Sequence, residues 1–460
     1  MRNRPIAFAA AALGMASLCA CACGGGGDGP APLASPAGLH YSAEAISYIS
    51  GIALAPDLPS STGGPVDSYA VSPALPAGLM LDPMTGAISG TPSVAASGNY
   101  TVTATNASGH ASIVLVVNGR DPATGPWAFT GSLGVARAYA ATTLLANGKI
   151  LMAGGAADAA AMQLLDTAEV YDANSGTWTM TGSMGSPRAF PGAVLLGNGK
   201  VLAVGGYDPM VGALPGAELY DPQSGSWAPT GLPAIARAFA SVTRLADGRV
   251  LVAGGFWTPS SEIYDPQAQT WIRTGDMSSA PAEHSATLLP DGRVLACGGY
   301  DASSSLLGSC ELFDARTGHW GPAASLAAPR AQHCAALLPE GRVLVAGGLA
   351  QAAPVSRVDS ELYDPPTDTW QSAGSLALPE IVYGLLPLPD GKVLAIGGDG
   401  ATGWNPTAQI HDPATQSWSA STTPAEGRAF FGSVVLPSGH VLVAGGTTST
   451  GAPTASVEIN

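Results

Sequence analysis

The 460-residue sequence predicts an all-β fold, built of seven repeated four-stranded units behind a smaller β domain. Three observations carry this. Short apolar runs bounded by Gly, Pro, Asn and Asp fill the chain, and helix signals are almost absent beyond the first twenty residues. Gly and Pro (60 and 38 residues) are dense enough for many tight turns. From residue 121 onward one pattern of Gly-Gly and Trp recurs seven times.

With 46% apolar and 11% charged residues, the chain can bury a large core and is no disordered tail. Its net charge is −15, and its lysines are Lys149, Lys200 and Lys392 only. Nucleic-acid binding needs a basic stripe, so that class is excluded.

Residues 1–21 read as an export signal. Arg2 and Arg4 precede the apolar run Ile6–Ala16, which is too short to span a bilayer. Leu18-Cys19-Ala20-Cys21 then resembles the lipobox of bacterial lipoproteins, whose signal is cut before an acylated cysteine. Cys21 fits best, with Leu18 three residues before it and small Ala20 one before; an ordinary cleaved signal is the alternative. Residues 22–36, rich in Gly, Pro and Ala, form a flexible tether. The resemblance implies export and a lipid anchor in the cell envelope, at the outer membrane, in the periplasm or on the cell surface.

Residues 37–118 carry alternating strands around one turn cluster. Leu75-Pro-Ala-Gly-Leu-Met-Leu-Asp-Pro-Met-Thr-Gly-Ala-Ile-Ser-Gly-Thr-Pro92 is followed by Tyr100-Thr-Val-Thr-Ala-Thr-Asn-Ala-Ser-Gly109, which alternates as a half-buried strand does. These segments resemble the bacterial immunoglobulin-like sandwich family. That resemblance implies a spacer or adhesive module without catalytic residues. Asn106-Ala-Ser is formally a glycosylation sequon, read as coincidence behind a bacterial lipobox.

In residues 119–460, Gly-Gly pairs begin at 154, 205, 254, 298, 347, 397 and 445, each 27 residues after a Trp (127, 178, 227, 271, 320, 370 and 418). The first six pairs are followed by Glu169-Val-Tyr-Asp, Glu218-Leu-Tyr-Asp, Glu262-Ile-Tyr-Asp, Glu311-Leu-Phe-Asp, Glu361-Leu-Tyr-Asp and Gln409-Ile-His-Asp. Each unit therefore has strand a before an X-Gly turn (Asn147-Gly148, Asp247-Gly248 and their counterparts), strand b ending in Gly-Gly, strand c at Glu-x-Tyr-Asp and strand d at Trp. X-Gly pairs tolerate the positive φ that a type I′ hairpin demands. Strand b, as in Val250-Leu-Val-Ala253, is apolar without alternation and so is buried on both faces. The Asp can satisfy backbone donors of the turn into strand d. With a period of 44 to 51 residues, the pattern resembles the kelch repeat, which implies a seven-bladed kelch β-propeller with the Trp packed between blades.

The seventh Gly-Gly is followed by Ser456-Val-Glu458-Ile-Asn460, without the Asp and Trp that complete a unit. Those stand at the other end, in Asp121-Pro-Ala-Thr-Gly-Pro-Trp127, at the spacing of the other copies. The simplest account is a ring whose N-terminal strand d completes blade seven, which removes the exposed sheet edges of an open array.

In such blades the d–a and b–c connections share one face. The b–c segment varies in length (13, 11, 6, 11, 12, 10 and 11 residues), with Tyr207, Trp257, Tyr300 and Trp404 in or beside it, which marks this face as the binding surface. Seventeen residues before each Gly-Gly stand Arg137, Arg188, Arg237, Pro281, Arg330, Glu380 and Arg428. Five guanidiniums at a channel mouth of an acidic protein would suit an anionic peptide or glycan, and in eukaryotic kelch domains arginines in these slots help line pockets for acidic peptides. The other reading makes Arg a repeat residue that bonds neighbouring loops or pairs with Glu283, Glu380 or Glu426.

Three residues further on, His284, His333 and Tyr383 share one height, but His is common in this kelch slot and no metal site is expected. Kelch propellers include copper radical oxidases, whose metal site needs a Tyr-His pair, a further Tyr, a crosslinking Cys and a His from an added domain. The chain has no Tyr-His dipeptide. No Ser/His/Asp set, phosphate loop or Cys-x-x-Cys pair follows the signal, and no cofactor is expected. Cys297 and Cys310 flank one b–c loop and are disulfide candidates; three free thiols, with Cys334, are the alternative. The resulting expectation is a monomeric, lipid-anchored binding or adhesion protein. A carbohydrate-active enzyme such as a periplasmic sugar epimerase, using Glu283 and Glu380, is the alternative.

Overall fold

The computed structural model describes residues 33–460 apart from 42–44, 50–53, 95, 121–126, 159–162, 174, 257, 351–355, 379–380, 401–402 and 405. Cys21, most of the tether, Asp121, Trp257 and Glu380 lie outside the described residues. Every regular element among the described residues is a β-strand.

In the N-terminal domain, Ala45–Ile49, Gly109–Arg120, Ser97–Asn106 and Ser68–Ser72 form one sheet in that order, with the first pair parallel. Leu54–Asp57, Ile88–Gly90 and Leu79–Leu81 form a second. The two share a core of Leu79, Ile88, Tyr100, Val102, Leu115 and Val117. The Asp82–Gly86 turn is built by its own aspartate, whose Oδ1 accepts the N–H groups of Thr85 (2.9 Å) and Met84 (2.8 Å). Those bonds hold the Asp82 carboxyl below its ordinary pKa. Asn106 is buried and its Nδ2 donates to the carbonyls of Ala34 and Pro65, so the sequon amide serves the fold.

The repeat region forms seven four-stranded antiparallel sheets. In the first, Ala141–Leu144, Ile150–Ala153, Ala168–Asp172 and Thr177–Met180 follow one another outward. The second strand is wholly buried in all seven sheets, as its unalternating sequence requires. Each fully buried Val or Leu there contributes about 1.5–3 kcal/mol.

The seventh sheet joins both ends of the region. Gly432–Val435, Val441–Ala444 and Val457–Ile459 are completed by Ala128–Phe129, with Ala128 opposite Ile459 and Phe129 opposite Glu458. Trp127 Nε1 donates to Thr422 O at 2.8 Å, just as Trp370 donates to Ala324 O and Trp271 to Gly231 O in the preceding connection. Gly432 lies so near the first sheet that a Cβ would sit 1.9 Å from Thr142 Oγ1, so the seventh innermost strand abuts the first.

The second glycine of each pair explains the motif. Its N–H donates to the next sheet's slot carbonyl: Gly155 to Arg188, Gly206 to Arg237, Gly255 to Pro281, Gly299 to Arg330, and Gly446 back to Arg137, all at 2.8–2.9 Å. At Gly155, Gly206, Gly255, Gly299, Gly348 and Gly446 its φ is positive and a Cβ would strike a backbone carbonyl, as at Gly155 (Ala138 O, 2.4 Å), so only Gly serves there.

The X-Gly turns differ from expectation. Only the glycine takes positive φ (79° at Gly148, 88° at Gly248), while Gly148 N–H bonds Leu145 O and Leu145 N–H bonds Lys149 O. This is a type I turn closed by a left-handed glycine, and not a type I′ pair. The preceding Asn or Asp stays right-handed because its side chain accepts the N–H two residues on, as Asn147 does from Lys149 and Asp247 from Arg249. The Asp of Tyr-Asp-Pro acts likewise: Asp221 accepts from Gln223 and Asp265 from Gln267.

In the fourth sheet Cys297 and Cys310 face each other at a Cα–Cα distance of 4.2 Å and are joined by a disulfide. Cys334 is a free thiol that donates to Val382 O, and burial pushes its pKa up to about 12.

Candidate ligand-binding site

The five slot arginines do not form the mouth of a channel. Arg137, Arg188, Arg237, Arg330 and Arg428 are 0–2% exposed, and each pairs with the glutamate of strand c in its own sheet. The partners are Glu169, Glu218, Glu262, Glu361 and Glu458, at 2.6–3.0 Å. Each Nη1 also donates to the carbonyl of the first Gly of the Gly-Gly pair, at 2.8–3.2 Å. Burial pushes the guanidiniums of Arg137, Arg188, Arg237 and Arg428 down, and the paired glutamate opposes that shift.

The expected anion-binding ring is therefore corrected to a set of internal braces. Its physical cause is the Gly-Gly turn, which takes a carbonyl out of the sheet ladder that the guanidinium then fills. The same glutamates accept backbone N–H groups of the segment entering strand a, from Gly134, Gly185, Ala234, Ala327 and Ala425.

The sequence carried a signal for this pairing that spacing alone did not expose. Every repeat with Arg in the slot has Glu in strand c, whereas the repeat with Glu380 in the slot has the neutral Gln409. The fourth repeat has Pro281, and its Glu311 is held by Ser278 N–H (3.0 Å) and Oγ (2.9 Å).

His284 and His333 also brace neighbours, through Nε2 to Ser241 Oγ and Ser285 Oγ of the preceding sheet, both at 2.9 Å. Burial pushes their pKa down, to about 4 and about 3, with the Arg330 charge adding to the shift at His333.

The residue two after the slot, which motif reading passed over, is where neighbouring sheets meet. Tyr139, Phe190, Phe239, Glu283, Gln332 and Phe430 all take left-handed φ of 51–60°, a conformation rare for such side chains. Backbone bonds link them across sheets: Tyr139 N–H to Phe430 O, Phe190 to Tyr139, Glu283 to Phe239 and Gln332 to Glu283, at 2.8–3.3 Å. Phe430, Tyr139, Phe190 and Phe239 stack in sequence at 4.6–4.8 Å, and Phe239 continues to Phe256 at 4.6 Å. The aromatic arc stops at Glu283 and Gln332.

At that break lies a cavity of about 260 Å³, lined by Phe256, Glu283, Tyr300, Asp301, Ser304 and Gln332 among others. Burial raises the Glu283 pKa, opposed by its bond to Gln332, and its Oε2 is shielded with no hydrogen-bond partner among the described residues. The Tyr300 phenol is raised by burial and by the Glu283 charge, which puts the two groups within electrostatic reach. Larger grooves of 390–590 Å³ lie on the opposite face, between neighbouring X-Gly turns. Their charges are paired locally, as in Lys200–Asp221, Arg249–Asp247 and Arg293–Asp291, and the grooves recur with the repeat. The Glu283 cavity is lined by a carboxylate at the position that holds Tyr139, Phe190, Phe239 and Phe430 in four other sheets, so it is the stronger candidate.

The chain is thus an all-β protein with an immunoglobulin-like domain followed by a series of four-stranded sheets, five of them braced by a buried Arg–Glu pair. Residues 33–118 match the model of the family described as "Putative Ig domain". Among solved structures, the chain resembles a fungal alcohol oxidase of the AA5 family, determined in complex with copper. It does so at 18% identity over 74% of this chain and 76% of that one, with a TM-score of 0.57. At that identity the likeness is one of fold. No curated protein matches the chain.

The residues here do not fit a copper centre. Among the described residues no group of three or more His, Cys, Asp or Glu is placed to hold a metal ion. His284 and His333 spend Nε2 on serines, and Cys297 is committed to a disulfide.

Proposed function

We propose that this chain is an exported binding or adhesion protein, anchored by acylated Cys21, whose residues 119–460 form a seven-bladed kelch-type propeller. The immunoglobulin-like domain serves as the spacer that holds the propeller from the membrane. The ligand, a protein or a carbohydrate, is taken on the face bearing the d–a and b–c connections. The single observation that carries this reading is the cavity at Glu283, walled by Phe256 and Tyr300, beside arginines already consumed by internal braces. Pockets with a few polar groups among aromatic walls are the usual form of recognition sites.

Glycan and peptide arrays probed with the full chain test it. Hits are expected to weaken in Tyr300→Ala and Phe256→Ala, and to persist in Arg249→Ala on the opposite face. Retained binding in both cavity variants refutes the assignment of the face. The anchor is tested apart: Cys21→Ala should leave the detergent phase, whereas Cys19→Ala and Cys23→Ala should remain in it.

A second reading, sugar epimerisation, draws support from the raised pKa of Glu283 beside Tyr300, a pairing suited to proton transfer. Solvent deuterium incorporation into acidic sugars would reveal it.

A further inference from the structure

The cavity at the break in the aromatic arc has a charge sign and a wall chemistry that specify more than a generic ligand. Its charged lining groups are Glu283 and Asp301, and among the described residues no Lys or Arg lines it. Asp301 is fixed by its own loop: Oδ1 accepts from Ser303 N–H (2.8 Å), Ser303 Oγ (2.6 Å) and Ser305 N–H (2.9 Å). Glu283 is not consumed in this way. Its backbone is pinned at φ 57° between Phe239 O and Gln332 N–H, which delivers a carboxylate to a slot that holds Tyr or Phe in four of the other sheets. The nearby arginines offer it no counter-charge, since each is paired inside its own sheet.

The walls are aromatic. Phe256 is backed by Phe239 at 4.6 Å and by Tyr207 edge-on at 6.2 Å, and Tyr300 stands beside the carboxylate. Aromatic faces carry negative quadrupole charge and attract cations, most strongly where water is excluded. A volume of about 260 Å³ admits one head group with a short stem rather than an extended chain. An anion is repelled by Glu283 and Asp301, and a neutral donor can bond the buried carboxylate oxygen but supplies no charge to balance it.

We propose that this cavity binds a primary ammonium group, with Glu283 as its counter-ion and Phe256 and Tyr300 as its aromatic walls. The inference rests on the reading of this face as the binding face, and it names the chemistry recognised there. A lysine side chain and an amino sugar both carry such a group.

The test is calorimetric titration of the full chain with Nα-acetyl-lysine methylamide and with glucosamine, each against its N-acetylated, uncharged counterpart. At least one amine should bind, about tenfold or more tightly than its acetylated form. Which amine binds separates a protein source from a glycan source. Glu283→Gln should weaken the amine about tenfold, while Glu340→Gln on the opposite face leaves it unchanged. Phe256→Leu should weaken it several-fold, and serves if Glu283→Gln fails to fold.

Equal binding of charged and acetylated probes, no binding of either amine, or full affinity in both Glu283→Gln and Phe256→Leu each overturns the proposal. Array ligands that still depend on Phe256 and Tyr300 would, in those cases, leave the face assignment standing. Array ligands indifferent to both residues would remove the face assignment itself.

Discussion

The first and fourth sheets share strand order and register but are braced by different means. In the first, Arg137 ties Glu169, Gly154 O and Thr167 O together, and the strand ends opposite one another are Ala153 and Ala168. In the fourth, Pro281 replaces the arginine, Ser278 holds Glu311, and the corresponding strand ends are the disulfide pair Cys297 and Cys310. That disulfide lies at the base of the loop that carries Tyr300, Asp301 and Ser304. Where a covalent link takes over the bracing, the slot region is free to present Glu283 to a cavity. The lesson is that a repeat can host a site where one copy has exchanged its structural device for another.

The largest effect expected concerns the sheet where bracing and closure coincide. Deleting Val457–Asn460 removes the strand that pairs with Ala128–Phe129, along with Glu458, the partner of Arg428. The full chain so shortened should lose its cooperative unfolding transition. Melting within a degree or two of the intact chain would show that the ends do not close the ring.

Arg188→Met should cost about 3–5 kcal/mol in denaturant unfolding, because it leaves the Glu218 carboxylate buried and uncompensated. The double change Arg188→Met with Glu218→Gln should recover much of that loss, imitating the neutral Gln409 of the sixth sheet. Equal losses in the single and double variants would mean that the guanidinium acts by packing rather than by charge.

Cys297→Ala with Cys310→Ala should cost about 2–4 kcal/mol, and peptide mapping without reductant should recover the two cysteines as one linked peptide. No change in stability would show that the fourth sheet does not depend on its covalent brace.

The mildest probe is acid. His284 and His333 are held neutral, at about 4 and about 3, below the ordinary value of about 6.5 that they regain when unfolded. The unfolded chain therefore binds protons first. Their contribution is complete above about pH 6.5 and is lost as pH falls toward 4, at roughly 1.4 kcal/mol per pH unit for each histidine. His284→Gln with His333→Gln should flatten that slope, and an unchanged slope would assign it to other groups.

Much of this architecture was legible because a repeat compares a chain with itself. Gly-Gly, Trp and Glu-x-Tyr-Asp at constant spacing located seven units, and the split seventh unit foretold the pairing that joins Ala128 to Ile459. The turn type was less legible, because X-Gly permits both I′ and type I turns and a side-chain bond from X to the residue two on selects between them. The disulfide remained one of two options until register placed Cys297 opposite Cys310.

The sequence by itself determined the all-β class, the domain order and the doubly buried second strands, since these follow from local periodicity and turn chemistry. Tertiary structure alone decided the fate of the charged residues. From spacing, five arginines at one height read equally well as a ring of free cations or as a set of braces. Only the course of the Gly-Gly turn, which frees a carbonyl beside each guanidinium, turns them inward and leaves Glu283, in the one sheet held by a disulfide, to face the cavity.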